Sequence, residues 1–221
     1  MDHDDHDHER EKRSAAVTAA ALVEDGMTVG LGTGSTVAYL LPALGRRRLD
    51  ISCVATSPAT ESLARAEGLR VLPFEGIGRL DLAIDGADQV DPHGWLIKGG
   101  GGAHTREKIV AGAADRFAVI VSSNKVVPRL HPPVPLELMA FGVDALLTSL
   151  PGVVLRGAPR SPDGGLLADY HGAVEDPEQL SARFCATPGV VAHGLFPPTM
   201  VTLVLVGDGG RVETLERRPD G

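Results

Sequence analysis

Three carboxylates, one amine and four consecutive glycines fall close together in this chain: Asp85-Gly86-Ala87-Asp88, then Lys98 with Gly99, Gly100, Gly101 and Gly102, then Glu107. Carboxylates beside an ammonium, set against bare backbone, can move protons on a small polar substrate and stabilise the charge that develops. A second glycine-rich turn, Gly30-Leu31-Gly32-Thr33-Gly34-Ser35-Thr36, runs from an extended segment into a helical one. Free N–H groups and the helix dipole at such a turn can seat a phosphate, with Ser35 and Thr36 adding hydroxyl donors. It departs from the dinucleotide pattern G-x-G-x-x-G, whose last position is here Ser35, and from the P-loop, because no Gly-Lys-Ser/Thr follows. The plain alternatives are an ordinary strand-to-helix turn with Thr33 or Ser35 as N-cap, Asp85 and Asp88 as turn formers, Glu107 as a dipole partner, and Lys98 as a solvated amine. Four glycines cost backbone entropy when ordered, so the run implies close approach, positive φ or a lid. Jointly these residues point to an enzyme acting on a phosphorylated small molecule.

The elements that must position them alternate. The periodicity predicts a helix from Lys12 to Asp25, a strand from Thr28 to Leu31 and a helix from Thr36 to Leu44 stopped by Gly45. A strand from Ile51 to Ala55 follows, then a helix with Ser57 as N-cap and Pro58 in its first turn, ending at Gly68. Strands over Arg70 to Leu72 and Leu80 to Asp85, a short extended Leu96-Ile97, a helix from Thr105 to Ala114 and a strand from Phe117 to Val121 complete the set. This pattern predicts an α/β fold with a parallel sheet covered on both faces. Asp85 then ends a strand, where ligands bind in open α/β sheets. Beyond Lys125 a Pro-rich linker opens a β-α-β-β-α-β order, expected as a small α+β (ferredoxin-like) lobe, with Val190 to Phe196 extended. A hairpin around Asp208-Gly209-Gly210 returns to the first sheet or closes the hinge. The expected division is a disordered acidic and His-rich tail over 1–10, a Rossmann-like catalytic domain over 11–131 plus 200–221, and the lobe over 132–199.

The 221 residues are 43% hydrophobic, enough for a substantial core, and carry a formal net charge of -8. An acidic chain has no electrostatic reason to bind nucleic acid or an anionic membrane, and no apolar run reaches spanning length. The opening Met1-Asp2-His3-Asp4-Asp5-His6-Asp7-His8 is the opposite of a signal peptide and reads as a solvated tail rather than a metal site. Cys53 and Cys185 lack metal-ligand spacing and read as buried small hydrophobes in a reducing, cytoplasmic setting.

The turn at 30–36, Asp-Gly-Ala-Asp at 85–88, Ile-Lys-Gly-Gly-Gly-Gly-Ala at 97–103 and Arg-Glu-Lys-Ile-Val at 106–110 closely resemble the A-type ribose-5-phosphate isomerases in residues, order and spacing. Weaker later features, Pro-Val-Pro-Leu-Glu at 133–137 and Pro-Gly-Val-Val at 188–191, extend the likeness over nearly the whole chain from about residue 9. The resemblance implies a Rossmann-like parallel sheet domain with an inserted smaller lobe, a homodimer or tetramer, a sugar-phosphate substrate, and no metal or organic cofactor. By position it implies Glu107 as catalytic base, with Asp85, Asp88 and Lys98 as the other catalytic groups. It also implies substrate binding by Thr33, Gly34, Ser35 and Thr36, by Gly86 and Ala87, by Gly99, Gly100 and Gly101, and by Lys125 and Lys12. Gln89, His104 and Asn124 depart from the family's usual residues, as does the stretch between Leu150 and Tyr170; none removes a proposed catalytic group.

The implied reaction interconverts D-ribose 5-phosphate and D-ribulose 5-phosphate through an enediolate, a step of the non-oxidative pentose phosphate pathway. Glu107 is expected to shuttle the proton between C2 and C1, Lys98 and glycine N–H groups to stabilise the oxyanion, and Asp85 and Asp88 to hold hydroxyls and open the ring. Rival readings are a non-catalytic sugar-phosphate sensor, which has no use for four charged groups, an NAD oxidoreductase, disfavoured at Ser35, and a transferase working through a glutamyl thioester, for which no coenzyme site is evident.

Overall fold

The structure, a computed structural model, describes residues 3–216. A helix α1 (His3–Ala20) leads into β1 (Thr28–Leu31), α2 (Ser35–Arg47), β2 (Ser52–Ala55), α3 (Pro58–Ala66), β3 (Arg70–Val71) and β4 (Leu82–Asp85). Two short strands, β5 (Gln89–Val90) and β6 (Leu96–Ile97), precede α4 (His104–Ala113) and β7 (Phe117–Ser122). There follow β8 (Val134–Leu138), α5 (Val143–Ser149), β9 (Val153–Leu155), β10 (Leu166–Tyr170), α6 (Pro177–Cys185) and β11 (Val190–His193). The last elements are β12 (Leu195–Phe196), β13 (Leu203–Asp208) and β14 (Arg211–Glu216).

The main sheet has the order β14-β13-β7-β4-β1-β2-β3 and is parallel throughout except at its β13–β14 edge. From β1 the chain winds outward to β3, then returns to the other side of β1 and continues through β4, β7 and β13. This is the Rossmann-like, doubly wound arrangement, and its order reverses between β1 and β4, where a crevice opens at the strands' carboxyl ends. Both faces are covered. Ala15, Ala16 and Ala19 of α1 pack with Leu40, Leu41 and Leu44 of α2 on one side, and Val110, Phe117 and Phe196 contribute to the other. All six residues of β7 are buried, five of them the apolar run Phe117 to Val121 expected of a central parallel strand.

The lobe forms a four-stranded antiparallel sheet of order β11-β8-β10-β9. With α5 and α6 it is the ferredoxin-like unit that the element order predicts. Tyr170 meets Phe184 edge-on in its core at 5.3 Å. A three-stranded sheet, β12-β6-β5, joins the lobe to the main domain. The terminal hairpin adds to the main sheet through β13.

Several elements differ from the sequence-based expectation. The described part of the tail is helical from His3, not disordered; residues 1 and 2 lie outside the described residues. Arg10 pairs with Asp7 at 3.0 Å and Lys12 with Glu9 at 2.5 Å, both one turn apart. Glu11 is buried and accepts from the Ser123 N–H at 3.1 Å and hydroxyl at 2.9 Å, tying the helix to the tip of β7. The same helix stops at Ala20 rather than Asp25, and Arg47 donates to the carbonyls of Ala20 and, just beyond the helix, Val23. Gly45 does not stop α2: a Cβ there would lie 2.5 Å from the Glu67 carbonyl oxygen, so the glycine lets the helix pass close to the end of α3. The expected extended run from Val190 to Phe196 is split between two sheets at Gly194, whose N–H donates to Pro135 O at 2.7 Å and whose carbonyl accepts from Lys98 N at 2.9 Å. Gln89–Val90 forms a two-residue strand, too short for periodicity to predict. Cys53 is buried, but Cys185 is exposed at the end of α6.

Candidate active site

The carboxyl ends of β1 and β4 carry the first half of the site. β1 runs into Gly32, whose N–H donates to Ile84 O at 2.9 Å, so the turn lies directly against the end of β4. A Cβ on Gly32 would sit 1.9 Å from the Asp85 carboxyl carbon, and only glycine fits. Thr33 turns its hydroxyl down onto Thr56 at 2.8 Å and Thr60 at 3.2 Å, while Thr60 donates to Gly32 O at 2.9 Å. Neither Thr33 nor Ser35 caps α2: the N-cap is Gly34, at φ 131°, with no side-chain cap. The helix therefore opens with donor N–H groups beside the Ser35 and Thr36 hydroxyls, the arrangement that binds anions.

The second half is a buried charge cluster. Asp85 Oδ1 accepts from Gly86 N at 2.7 Å and Thr33 N at 3.1 Å. Its Oδ2 accepts from Lys98 Nζ at 2.8 Å. Lys98, 3% exposed, also donates to Gly86 O and lies 3.1 Å from Glu107 Oε2. That last contact is an ion pair without hydrogen-bond alignment, and Glu107 Oε2 is left buried with no hydrogen bond among the described residues. One ammonium thus bridges two carboxylates. Phe196 adds a ring face 5.5 Å from Lys98 Nζ.

The electrostatics follow from this crowding. Burial, reinforced by the Asp85 carboxylate, pushes Glu107 up to about 7 against the opposing pull of Lys98. Burial alone would lower Lys98; the Asp85 and Glu107 carboxylates overcome it and hold the amine above its ordinary range. Burial raises Asp85 as well, while Lys98 and the two backbone amides favour its ionised form. A carboxyl poised near neutrality beside a fixed cation suits reversible proton transfer.

Lys12, Thr33, Gly34, Ser35, Thr36, Gly86, Ala87, Asp88, Lys98, Gly99, Gly100, Gly101, Glu107 and Lys125 all line one cavity of about 170 Å³, together with Val37. Of the residues picked from sequence, Asp85 alone is not on its wall. It lies behind, with its oxygens spent on Lys98 and two amides, so the expectation that it holds sugar hydroxyls is replaced by a supporting position. Asp88 accepts from Gly100 N at 2.8 Å. His104 is fully buried, and burial, with Lys108 and Arg156 nearby, lowers it to about 3; its neutral ring packs against Gly99, where a Cβ would lie 2.6 Å from Nδ1. Among the described residues no three His, Cys, Asp or Glu side chains group as a metal site.

Sequence reasoning missed Thr56 and Thr60 under the first turn and, in the lobe, Arg156, which reaches the glycine run, and Asp169, which holds that arginine. A charged Asp169 inside Leu-Leu-Ala-Asp-Tyr was the available signal for the last pair.

The family model described as Ribose 5-phosphate isomerase A (phosphoriboisomerase A) matches residues 52–210. A Ribose-5-phosphate isomerase A of Roseiflexus castenholzii is 45% identical over 219 residues, covering 91% of this chain and 94% of that one. Another, of Methanosarcina acetivorans, is 44% identical over 201 residues, covering 84% and 86%. Among solved structures, ribose 5-phosphate isomerase A of Methanocaldococcus jannaschii is similar with a TM-score of 0.87 and 34% identity, covering 93% of this chain and 98% of that one. A D-ribose-5-phosphate isomerase in complex with phospho-erythronic acid has a TM-score of 0.89 and 34% identity, covering 98% and 100%.

Proposed function

The chain belongs to the ribose 5-phosphate isomerase A family, and we propose that it is an aldose–ketose isomerase interconverting D-ribose 5-phosphate and D-ribulose 5-phosphate. The observation that carries the reading within the molecule is the Asp85–Lys98–Glu107 bridge, with Lys98 and Glu107 on the wall of the cavity. A non-catalytic sensor has no need of it.

The mechanism starts at the far end of the substrate. Its phosphate sits at the uncapped start of α2, on the Ser35 and Thr36 hydroxyls, with Lys12 and Lys125 closing over it. That remote binding fixes C1 and C2 against Glu107. Asp88 protonates the ring oxygen and takes the anomeric hydroxyl's proton to open the furanose. Glu107 removes the proton from C2 of the aldose, and the electron pair moves to the carbonyl oxygen as the enediolate forms. Lys98 and glycine-run N–H groups stabilise that oxygen. The proton of the C2 hydroxyl passes to the oxygen on C1, and Glu107 returns the carbon-bound proton to C1 as the C2 carbonyl forms, giving the ketose. Asp85 holds Lys98 charged and in place.

The reading extends to a cytoplasmic enzyme of the non-oxidative pentose phosphate pathway, acting as a homodimer or tetramer. It also extends to a catalytic domain over 11–131 plus 200–221 with a lobe over 132–199. The deciding experiment is Glu107→Gln. Turnover of ribose 5-phosphate should drop about 10²- to 10⁴-fold while substrate binding survives. Near-normal turnover would remove Glu107 from the chemistry.

A further inference from the structure

The glycine run has no side chains of its own to fix it, yet an enediolate needs donors that are already in place. Its turn closes by Gly102 N donating to Gly99 O at 3.0 Å, with Gly99 at φ 104° and Gly102 at φ 78°. Its remaining ties are charged. Asp88 takes the Gly100 N–H. From the lobe, Arg156 Nη1 donates to Gly99 O at 3.0 Å and Gly100 O at 3.2 Å. The other edge of that guanidinium is gripped by Asp169, with Nε at 2.8 Å and Nη2 at 2.6 Å from its two oxygens. The pair is largely buried, with 15% and 20% of the two side chains exposed.

The grip is bidentate, so the arginine's plane and reach are set by β10 before it meets the loop. Arg156 N also donates to Leu167 O at 2.8 Å, which fixes the start of the side chain. Gly100 is thereby clamped on both sides: its N–H by an acid of the main domain, its carbonyl by a base of the lobe. Gly99 and Gly101 N–H groups donate to nothing among the described residues, which leaves them for the substrate's oxygens.

We infer that Arg156, oriented by Asp169, is a positioning residue for the isomerisation: it holds the Gly99–Gly101 backbone in the conformation that stabilises the enediolate. This rests on the isomerase reading of the same site. It assigns to the lobe a part in the rate and not in phosphate capture.

The test uses the full chain with Arg156→Met, Arg156→Lys and Asp169→Asn, measuring kcat and KM for ribose 5-phosphate. Two probes accompany it: inorganic phosphate, and an aldonic acid phosphate whose carboxylate mimics the enediolate. For Arg156→Met, kcat should fall about 10- to 100-fold, as a small misplacement of catalytic groups costs. KM should move less than about threefold, because the seat at α2 is untouched. Affinity for the aldonate phosphate should fall with kcat, and affinity for inorganic phosphate should not. Arg156→Lys should recover part of the loss, and Asp169→Asn, which keeps the shape at β10, should show a smaller loss of the same pattern. Turnover within about twofold of the parent in Arg156→Met would overturn the inference. So would equal losses for the two probes, which would make the pair merely structural. If Glu107→Gln is inactive while Arg156→Met is normal, only this inference fails; if Glu107→Gln turns over normally, the isomerase site itself is wrong.

Discussion

The turn after β1 is held from within its own domain, by hydroxyls and by the Asp85 carboxylate that accepts from Thr33 N. Thr56 and Thr60 take the Thr33 hydroxyl, Thr60 binds the Gly32 carbonyl, and the backbone lies on Asp85. The turn before α4 is held by charges from two domains, Asp88 on one side and the Asp169-backed Arg156 on the other. In the proposed reaction the first meets the phosphate, whose charge does not change, so rigid local packing suffices. In the same proposal the second faces oxygens whose charge grows in the transition state. There, orientation matters more than affinity, and fixed charges hold it. Binding and rate are thus assigned to different turns of one cavity, and substitutions in each should separate them.

The largest effect is expected at Lys98, which opens the second turn and bridges Asp85 to Glu107. Lys98→Met leaves the buried Asp85 and Glu107 carboxylates facing each other, a loss on the order of 3–5 kcal/mol. Chemical denaturation should show that loss, and turnover should fall below detection even in the fraction that remains folded. A folded, active Lys98→Met would end the division of labour drawn above.

Next comes the pH dependence of Glu107. Its folded-state value of about 7 lies above the ordinary 4.5, so its ionised form opposes folding. The sign is that of a raised acid: its stabilising contribution is full below about 4.5 and is lost as pH rises through about 7. Glu107→Gln should therefore be more stable than the parent at pH 8, by on the order of 1–3 kcal/mol, and nearly equal to it at pH 5. The parent's kcat/KM should decline as pH drops below about 7 and the base is protonated. Thermal melts at the two pH values and a pH–rate profile check both.

The smallest effect belongs to the first turn. Ser35→Ala with Thr36→Ala should raise KM about tenfold and leave kcat within a few-fold, since it removes binding shared by ground and transition states. A kcat loss exceeding the KM change would place chemistry at the phosphate end.

The alternation of apolar strands and helices made the doubly wound sheet readable, and Asp85 at the end of Leu-Ala-Ile placed one site residue by topology alone. Motif order brought the two turns to one cavity. Three things were not readable, each for a physical reason. Gly45 looks like a stop because its close approach to Glu67 is a contact between distant residues. The helical tail is charged and apolar-poor, and it is ordered by Glu9 and Glu11 reaching Tyr39 and Ser123. Asp85 reads as a ligand for sugar hydroxyls until Lys98 is seen to occupy it.

The break at Gly194 bears on how this scaffold can be remodelled. The chain leaving the lobe bonds through Gly194 O to the peptide nitrogen of Lys98, and through Gly194 N to Pro135, the second residue of the lobe's first strand. Trimming 134–193 to make a minimal enzyme would therefore unmoor the very lysine that such a design must keep. Loops at the lobe's far end are the safer places for insertion, and its entry and exit strands are part of the catalytic chassis.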